Sequence, residues 1–391
     1  MKLPENFCIA PFVQHTTHPS GSCSPCPYLG GTTWPGDSSS IIQQWTGNKL
    51  EELREEFLEN KKPSICYRCW NEESNGKKSL RLRLFDPVAH TSDYEFATPA
   101  VIEQRIANNN YLVGPLVLTI KNGNICNAKC RICHPGDSSR WAADAKKLQE
   151  LTGKNYYSIS QKELNWDDTQ LDEIVQLSAN LVRLELFGGE PTYNKKVEIL
   201  LKRIVDLDLA KNITLYFNTN GSINIPEKMP FVKEFKCVEL GVSLDGIDDK
   251  FSYQRHGLNY DEVIDNIQNA KSFFTKHNTK FWIDAISTVS ILNVYHLPEL
   301  KDAITKILPQ IPFWNLLIKP DHLYIKNMPD HVKAAVIQKL GDAEDFKELI
   351  SVMKQPAELE YWDQFLEITK NLDIIRGEDF KVTFPEFAKL I

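Results

Sequence analysis

Gly114-Pro-Leu-Val-Leu-Thr-Ile-Lys121-Asn-Gly-Asn-Ile-Cys126-Asn-Ala-Lys-Cys130-Arg-Ile-Cys133 opens with a short apolar, β-branched run and closes on three cysteines. The run from Leu116 to Lys121 reads as a buried strand. Similar runs recur at Val182 to Phe187, Ile213 to Asn218, Val238 to Ser243, Phe281 to Val289 and Trp314 to Lys319. Between them lie amphipathic stretches, Leu171 to Leu177, Lys195 to Leu207, Asp261 to Phe274 and Leu297 to Ile307, that carry helical periodicity. Strands alternating with such helices predict parallel strands joined by crossovers. Six of them predict an α/β fold built on an open, partial (β/α)6 TIM-like barrel, with function at the carboxyl ends of the strands.

Outward from this core the pattern changes. Residues 1–90 are rich in Gly, Pro and Ser and show one evident helix, Ile41 to Asn60, in which Trp45, Leu50, Leu53 and Phe57 recur at helical spacing. This stretch reads as too loop-rich to fold on an apolar core of its own, so a metal staple is expected. The barrel is expected over 111–325, and 326–391 reads as a helical segment through Val332 to Leu340 and Leu359 to Leu372.

Composition narrows the function. The 391 residues carry 45 Lys+Arg against 52 Asp+Glu, a net charge of -7, which offers no broad basic face to nucleic acid. No apolar run is long enough to span a bilayer and the start, MKLPENF, lacks a signal-peptide core, so no membrane and a cytoplasmic location are expected. Nine cysteines in such a chain point to metal or redox chemistry rather than to disulfides.

The cysteines fall into two groups. Cys126, Cys130 and Cys133 form a CxxxCxxC run directly after the first strand, at the functional end of the barrel. Three thiolates cannot ligate every iron of a four-iron cluster, so one iron would stay open; the alternative is zinc with a fourth ligand such as His134. Cys23-x-x-Cys26 and Cys66-x-x-Cys69 form two CxxC pairs, with Cys8 upstream, a spacing that suits a zinc ribbon nearly as well as a cluster.

The CxxxCxxC run in this position resembles the hallmark of the radical S-adenosylmethionine (radical SAM) superfamily. Further motifs follow in that family's order: Gly188-Gly189-Glu190-Pro191, Asn218-Thr219-Asn220-Gly221, Ser243-Leu244-Asp245-Gly246 and Gln254-Arg255-His256-Gly257. Each alone reads as a turn. The resemblance implies a [4Fe-4S] cluster on Cys126, Cys130 and Cys133, with S-adenosylmethionine chelating its open iron. It implies Gly188, Gly189 and Glu190 at the cofactor's amino group, Asn220 and Ser243 at ribose and carboxylate, and Arg255 at the methionine carboxylate. It also implies the backbone of Ile132 at adenine, with Asn293 or Ile318 completing that pocket.

The amino-terminal pattern, Cys8, Gly21-x4-Cys26, a helix and Cys66-Tyr-Arg-Cys69, resembles the auxiliary-cluster modules called SPASM and Twitch. That resemblance implies a second [4Fe-4S] cluster on Cys8, Cys26, Cys66 and Cys69 with Cys23 spare, although Cys23 competes with Cys8 for the fourth place. Here the module precedes the barrel instead of following it. A spare Cys23 is a candidate hydrogen donor to a substrate radical.

Other residues read more plainly. His15 and His18 suit a structural role, Cys237 a buried core thiol, and Asp245 a loop-shaping role over that of a proton acceptor. Lys77, Lys78, Arg81 and Arg83 read as a solvated charge run. The resulting expectation is an enzyme that cleaves S-adenosylmethionine to a 5'-deoxyadenosyl radical and oxidises a peptide or small polar substrate, served by a low-potential donor such as flavodoxin or ferredoxin. The alternative is a metal-binding interaction protein, zinc or iron–sulfur, with an inactive barrel.

Overall fold

The computed structural model describes residues 2–29, 40–74, 76, 78–84, 98–159, 163 and 165–391. Its centre is one open sheet of eight strands: β1 Gln14–Thr17, β2 Cys23–Ser24, β3 Val117–Lys121, β4 Arg183–Phe187, β5 Thr214–Thr219, β6 Cys237–Ser243, β7 Lys280–Val289 and β8 Phe313–Leu316. The order is β2-β1-β3-β4-β5-β6-β7-β8, and every pairing is parallel except β1 with β2. The six predicted strands are β3 to β8, and their helices lie where the periodicity put them, at Asp168–Leu177, Lys195–Asp206, Tyr260–Lys276 and Leu297–Thr305.

Local chemistry explains the helix starts. Asp167 and Gln170 form a reciprocal capping box, and Asn194 and Asn259 each accept from a backbone N–H two or three residues on. The helices bury Ile174, Leu200, Ile204, Val263 and Ile267 against one face of the sheet, Leu184, Leu186, Leu215, Phe217, Val238 and Leu240. Each such side chain contributes roughly 1.5–3 kcal/mol on full burial. Because strand residues alternate faces, the other face of the sheet carries Thr119, Lys121, Arg183, Glu185, Tyr216, Glu239, Gly241, Ser243 and Asp284. That concave face is polar: Arg183 pairs with Glu185 and Glu239, both at 2.7 Å.

The amino-terminal segment departs from expectation in three ways. Gln14–Thr17 extends the barrel sheet, with His15 in register with Leu118 and Thr17 with Ile120. The single helix over 41–60 is two, Ile41–Trp45 and Asn48–Leu58, broken at Thr46 and Gly47, where Gly47 takes extended geometry. The segment also has its own apolar cluster of Phe7, Phe12, Trp45, Leu53, Phe57, Ile102 and Tyr111. Ile102 and Tyr111 lie beyond residue 90, so a window over the segment alone misses them. Arg54 is fully buried in this cluster, between the rings of Trp45 and Tyr111, and donates to the carbonyl oxygens of Pro11 and Trp45.

After Pro329 the chain is helical as expected, with Asp330–Leu340, Lys347–Met353, Leu359–Arg376 and Phe380–Thr383. No helix among the described residues is long and apolar enough to cross a membrane.

Candidate active site

The loop after β3 carries the three cysteines and is held from two sides. Lys129 N donates to the carbonyl of His256 at 2.9 Å and Arg131 N to that of Gln254 at 2.7 Å, which ties the loop to the segment after Asp245. Inside the loop, Cys133 N donates to Cys130 O, Ser138 Oγ to Ala128 O, and the indole of Trp141 to Cys130 O at 2.7 Å. Cys130 and Cys133 interact through their thiols, which pulls Cys130 down to about 7 with help from Arg255. Burial pushes Cys126 up to about 12, and the neighbouring Cys130 adds to that. Three crowded thiols that resist ionising together are a donor set that suits a cationic iron centre.

The second tie comes from Gly188 and Gly189, which follow β4. Both have positive φ, +85° and +52°, and a Cβ on Gly189 would lie 2.3 Å from the carbonyl oxygen of Ile125. Only glycine lets this turn pass so close to the cysteine loop. Glu190 N then donates to Ile125 O at 2.9 Å. The Glu190 carboxylate is fully buried and takes four donors: Thr192 N, Thr192 Oγ1, Thr219 Oγ1 and Asn220 N. These fill the usual capacity of a carboxylate, so Glu190 joins the loops after β4 and β5. Asn220 continues the link, donating from Nδ2 to Asn127 in the cysteine loop at 2.9 Å.

Arg255 is buried. Its Nη2 lies 2.7 Å from Asp245 Oδ2 and its Nη1 donates to Cys130 Sγ at 3.8 Å. Burial opposes its charge, but Asp245 and the thiols of Cys130 and Cys133 more than restore it. Asp245 Oδ1 in turn accepts from Thr288 N, so the carboxylate also fixes the end of β7. Ser243 ends β6 half-buried, and Ile132 is half-buried against the barrel core. The Asn293 amide donates to the carbonyls of Asp245 and Thr288, whereas Ile318 is exposed. His134 is exposed and lies 3.4 Å from Asp137.

A set of residues around this loop escaped the sequence reading. Arg131, inside the cysteine run, is buried with its guanidinium 3.7 Å from the ring centre of Tyr253 and bonded to Asp373 and Glu378. Asp144 holds Lys129 and Arg376, each at 2.9 Å. The carboxyl-terminal helix Leu359–Arg376 thereby clamps the cysteine loop. Sequence carried only a weak signal for it, the alternation of Arg and Lys with Cys.

The amino-terminal thiols converge elsewhere. Cys8, Cys26, Cys66 and Cys69 line one cavity of about 120 Å³, together with Phe57, Ile65, Leu80 and Arg81. Burial pushes the Cys8 thiol far up, Cys26 to about 11 and Cys66 to about 12, and the thiols reinforce one another. Four partly buried thiols around one largely apolar cavity again fit a bound metal centre. Cys23 is not among them. It sits on β2 in the barrel core, and its N–H donates to Gln44 Oε1 at 2.7 Å.

Arg81 is a structural residue and not part of a solvated run. It is buried, bonded to Glu73 and to the carbonyls of Glu5 and Phe7, and so closes the cavity wall. Arg83 donates to Tyr28 Oη; Lys77 lies outside the described residues, and Lys78 is exposed. His15 and His18 are buried, bonded to Ile41 O and Ser24 Oγ. Cys237 is buried at the start of β6.

Residues 120–287 match the family model of the Radical SAM superfamily. These residues are a radical SAM domain. The radical SAM domain begins in β3, ends in β7 and contains the cysteine loop, the Gly188-Gly189-Glu190 turn and Arg255. Among curated proteins, the mitochondrial GTP 3',8-cyclase of Arabidopsis thaliana is 30% identical over 146 residues, 37% of this chain and 33% of that protein. The GTP 3',8-cyclase of Aquifex aeolicus (strain VF5) is 26% identical over 159 residues, 40% of this chain and 43% of that protein. The matched stretches thus span less than half the length of these relatives. Among solved structures, native anSMEcpe with bound AdoMet is 20% identical over 68% of each chain, with a TM-score of 0.38. Streptococcus suis SuiB bound to the precursor peptide SuiA is 15% identical over 82% of this chain and 64% of that one, with a TM-score of 0.36. The family implies S-adenosylmethionine and a [4Fe-4S] cluster, and the three-thiol loop has the donors for such a cluster.

Proposed function

We propose that this chain is a radical SAM enzyme that abstracts hydrogen from a peptide or small polar substrate and oxidises it. The observation that carries the reading is the cysteine loop at the carboxyl end of the sheet, bonded to Arg255 through Cys130 Sγ. A [4Fe-4S] cluster on Cys126, Cys130 and Cys133 supplies, when bound, the electron that cleaves S-adenosylmethionine to a 5'-deoxyadenosyl radical. The residues around it bind and orient. With the cofactor bound, Arg255 would hold the methionine carboxylate and the backbone of Gly188 and Gly189 the amino group, and Glu190 keeps that turn in place. Asn220 and Ser243 serve the ribose, and Ile132 the adenine. The polar concave face carries Lys121, Glu185 and Asp284 towards the substrate.

Cys8, Cys26, Cys66 and Cys69 are proposed to hold an auxiliary [4Fe-4S] cluster, which supplies a site for the second electron of the oxidation. Four thiols for four irons leave no iron open to substrate. The position of Cys23 in the barrel core speaks against its being the fourth ligand in place of Cys8. A low-potential flavodoxin or ferredoxin is the proposed electron donor.

A nucleoside triphosphate, suggested by the names of the curated relatives, is the less favoured substrate. Arg183 on the concave face is already paired with two glutamates, which leaves Lys121 to meet phosphate there, and Asp284 adds a further carboxylate. The test of the whole reading is metal analysis after anaerobic reconstitution. About eight irons per chain are expected for two four-iron clusters. About four irons with one zinc would remove the auxiliary cluster and leave the radical SAM site, whereas no retained iron would overturn both.

A further inference from the structure

We propose that His296, Glu299 and Glu386 form a binding site for a divalent transition metal, zinc by its chemistry, that fastens the carboxyl-terminal segment to the barrel. The site uses none of the cysteines and does not depend on the radical chemistry, although its cavity borders Asp245 and Gln254, which pack behind the cysteine loop. One ligand atom from each of the three residues falls within 4.8 Å of the other two. They line a cavity of about 160 Å³ whose wall includes Asp245, Gln254 and Lys250.

The unspent bonding capacity points to a ligand. His296 is 8% exposed, and its Nε2 is buried without a hydrogen-bond partner; Glu299 Oε2 is in the same condition. A buried polar atom left unpaired costs about 1–3 kcal/mol in general, so two of them on residues that line one cavity call for a shared partner. Tetrahedral zinc holds nitrogen and oxygen donors at about 2.0–2.2 Å, and therefore about 3.4 Å from one another. The three atoms lie within 4.8 Å of one another, so binding draws them together by up to about 1.4 Å to meet that geometry.

The backbone makes the convergence reproducible. His296 immediately precedes the helix Leu297–Thr305 and Glu299 lies in its first turn, a separation of three that puts both on one side. Glu386 comes from the far end of the chain, fixed by the fully buried Phe384 and Phe387 on either side. Lys339 contacts the other oxygen of Glu299, as an outer partner that orients a ligating carboxylate does. The charge of Lys250 works against a cation and lowers the affinity. An imidazole with two carboxylates selects zinc over magnesium or calcium, which prefer oxygen alone.

The test uses the full chain with its iron sites reconstituted. The protein is exposed to zinc sulfate, desalted, and analysed by elemental analysis and zinc K-edge absorption. About one zinc per chain is expected, with nitrogen and oxygen in its first shell and no sulfur. Glu386→Gln changes an exposed residue and is expected to weaken zinc binding at least tenfold with unchanged circular dichroism; His296→Ala is expected to abolish it. No retained zinc, a first shell of sulfur, or equal binding by Glu386→Gln would overturn the site.

Discussion

Arg255 and Asp245 form a buried ion pair at 2.7 Å, and the same guanidinium reaches Cys130 Sγ at 3.8 Å. The pair joins the segment after β6 to the cysteine loop after β3, so the cation is set against the thiols before any cofactor binds. Removing one partner of a buried pair strands the other charge. Asp245→Asn is therefore expected to cost about 3–5 kcal/mol in denaturant unfolding, and the Asp245→Asn, Arg255→Met double variant less than the sum of the two single changes. Strict additivity in that cycle would show that the pair is not coupled.

Gly189→Ala tests the closeness of the two loops. The added methyl would meet the Ile125 carbonyl oxygen at 2.3 Å in a backbone conformation that side chains avoid. The variant is expected to lose the iron of the Cys126, Cys130, Cys133 site while keeping that of the amino-terminal cavity, so the count falls by about half. An unchanged iron content would mean that the turn gives way without disturbing the loop.

Arg131→Met tests the carboxyl-terminal clamp. It leaves Asp373 and Glu378 without their shared cation, at an expected cost of about 3–5 kcal/mol. Amide exchange should rise in Leu359–Arg376 and in the cysteine loop together. A rise in the helix alone would show that the clamp does not hold the loop.

Buried histidines set an acid limit. Burial lowers His15 to about 3, and His18 and His322 to about 4. The unfolded chain then binds more protons than the folded one between the ordinary histidine value near 6.5 and these lowered values. Stability should rise with pH through that window, by up to about 1.4 kcal/mol per pH unit for each histidine, and level off above it. Denaturant midpoints from pH 4 to 8 check this, and a flat profile below pH 6.5 would contradict it.

The barrel was legible because β3 to β8 carry apolar, β-branched side chains at the right spacing and because the helices between them are strongly amphipathic. The short strand Gln14–Thr17 was not, since four residues give no periodicity and its partner lies about a hundred residues away. The break at Gly47 was hidden by apolar spacing that continues across it. The three core cysteines, the glycine turn and Arg255 could be marked from their order along the chain. Their supports could not. The pairing of Arg131 with Asp373 and Glu378, and of Asp245 with Arg255, joins residues whose charges look like ordinary surface until the fold buries them.

The central claim is the reductive cleavage of S-adenosylmethionine at Cys126, Cys130 and Cys133, and the most direct measurement is 5'-deoxyadenosine formed by the reconstituted protein with a chemical reductant. The account predicts that the intact chain forms it, that a triple alanine variant of these cysteines does not, and that a Cys66→Ala, Cys69→Ala variant still does. Continued formation of 5'-deoxyadenosine by the triple variant, or none from an intact chain carrying its full iron, would contradict the account.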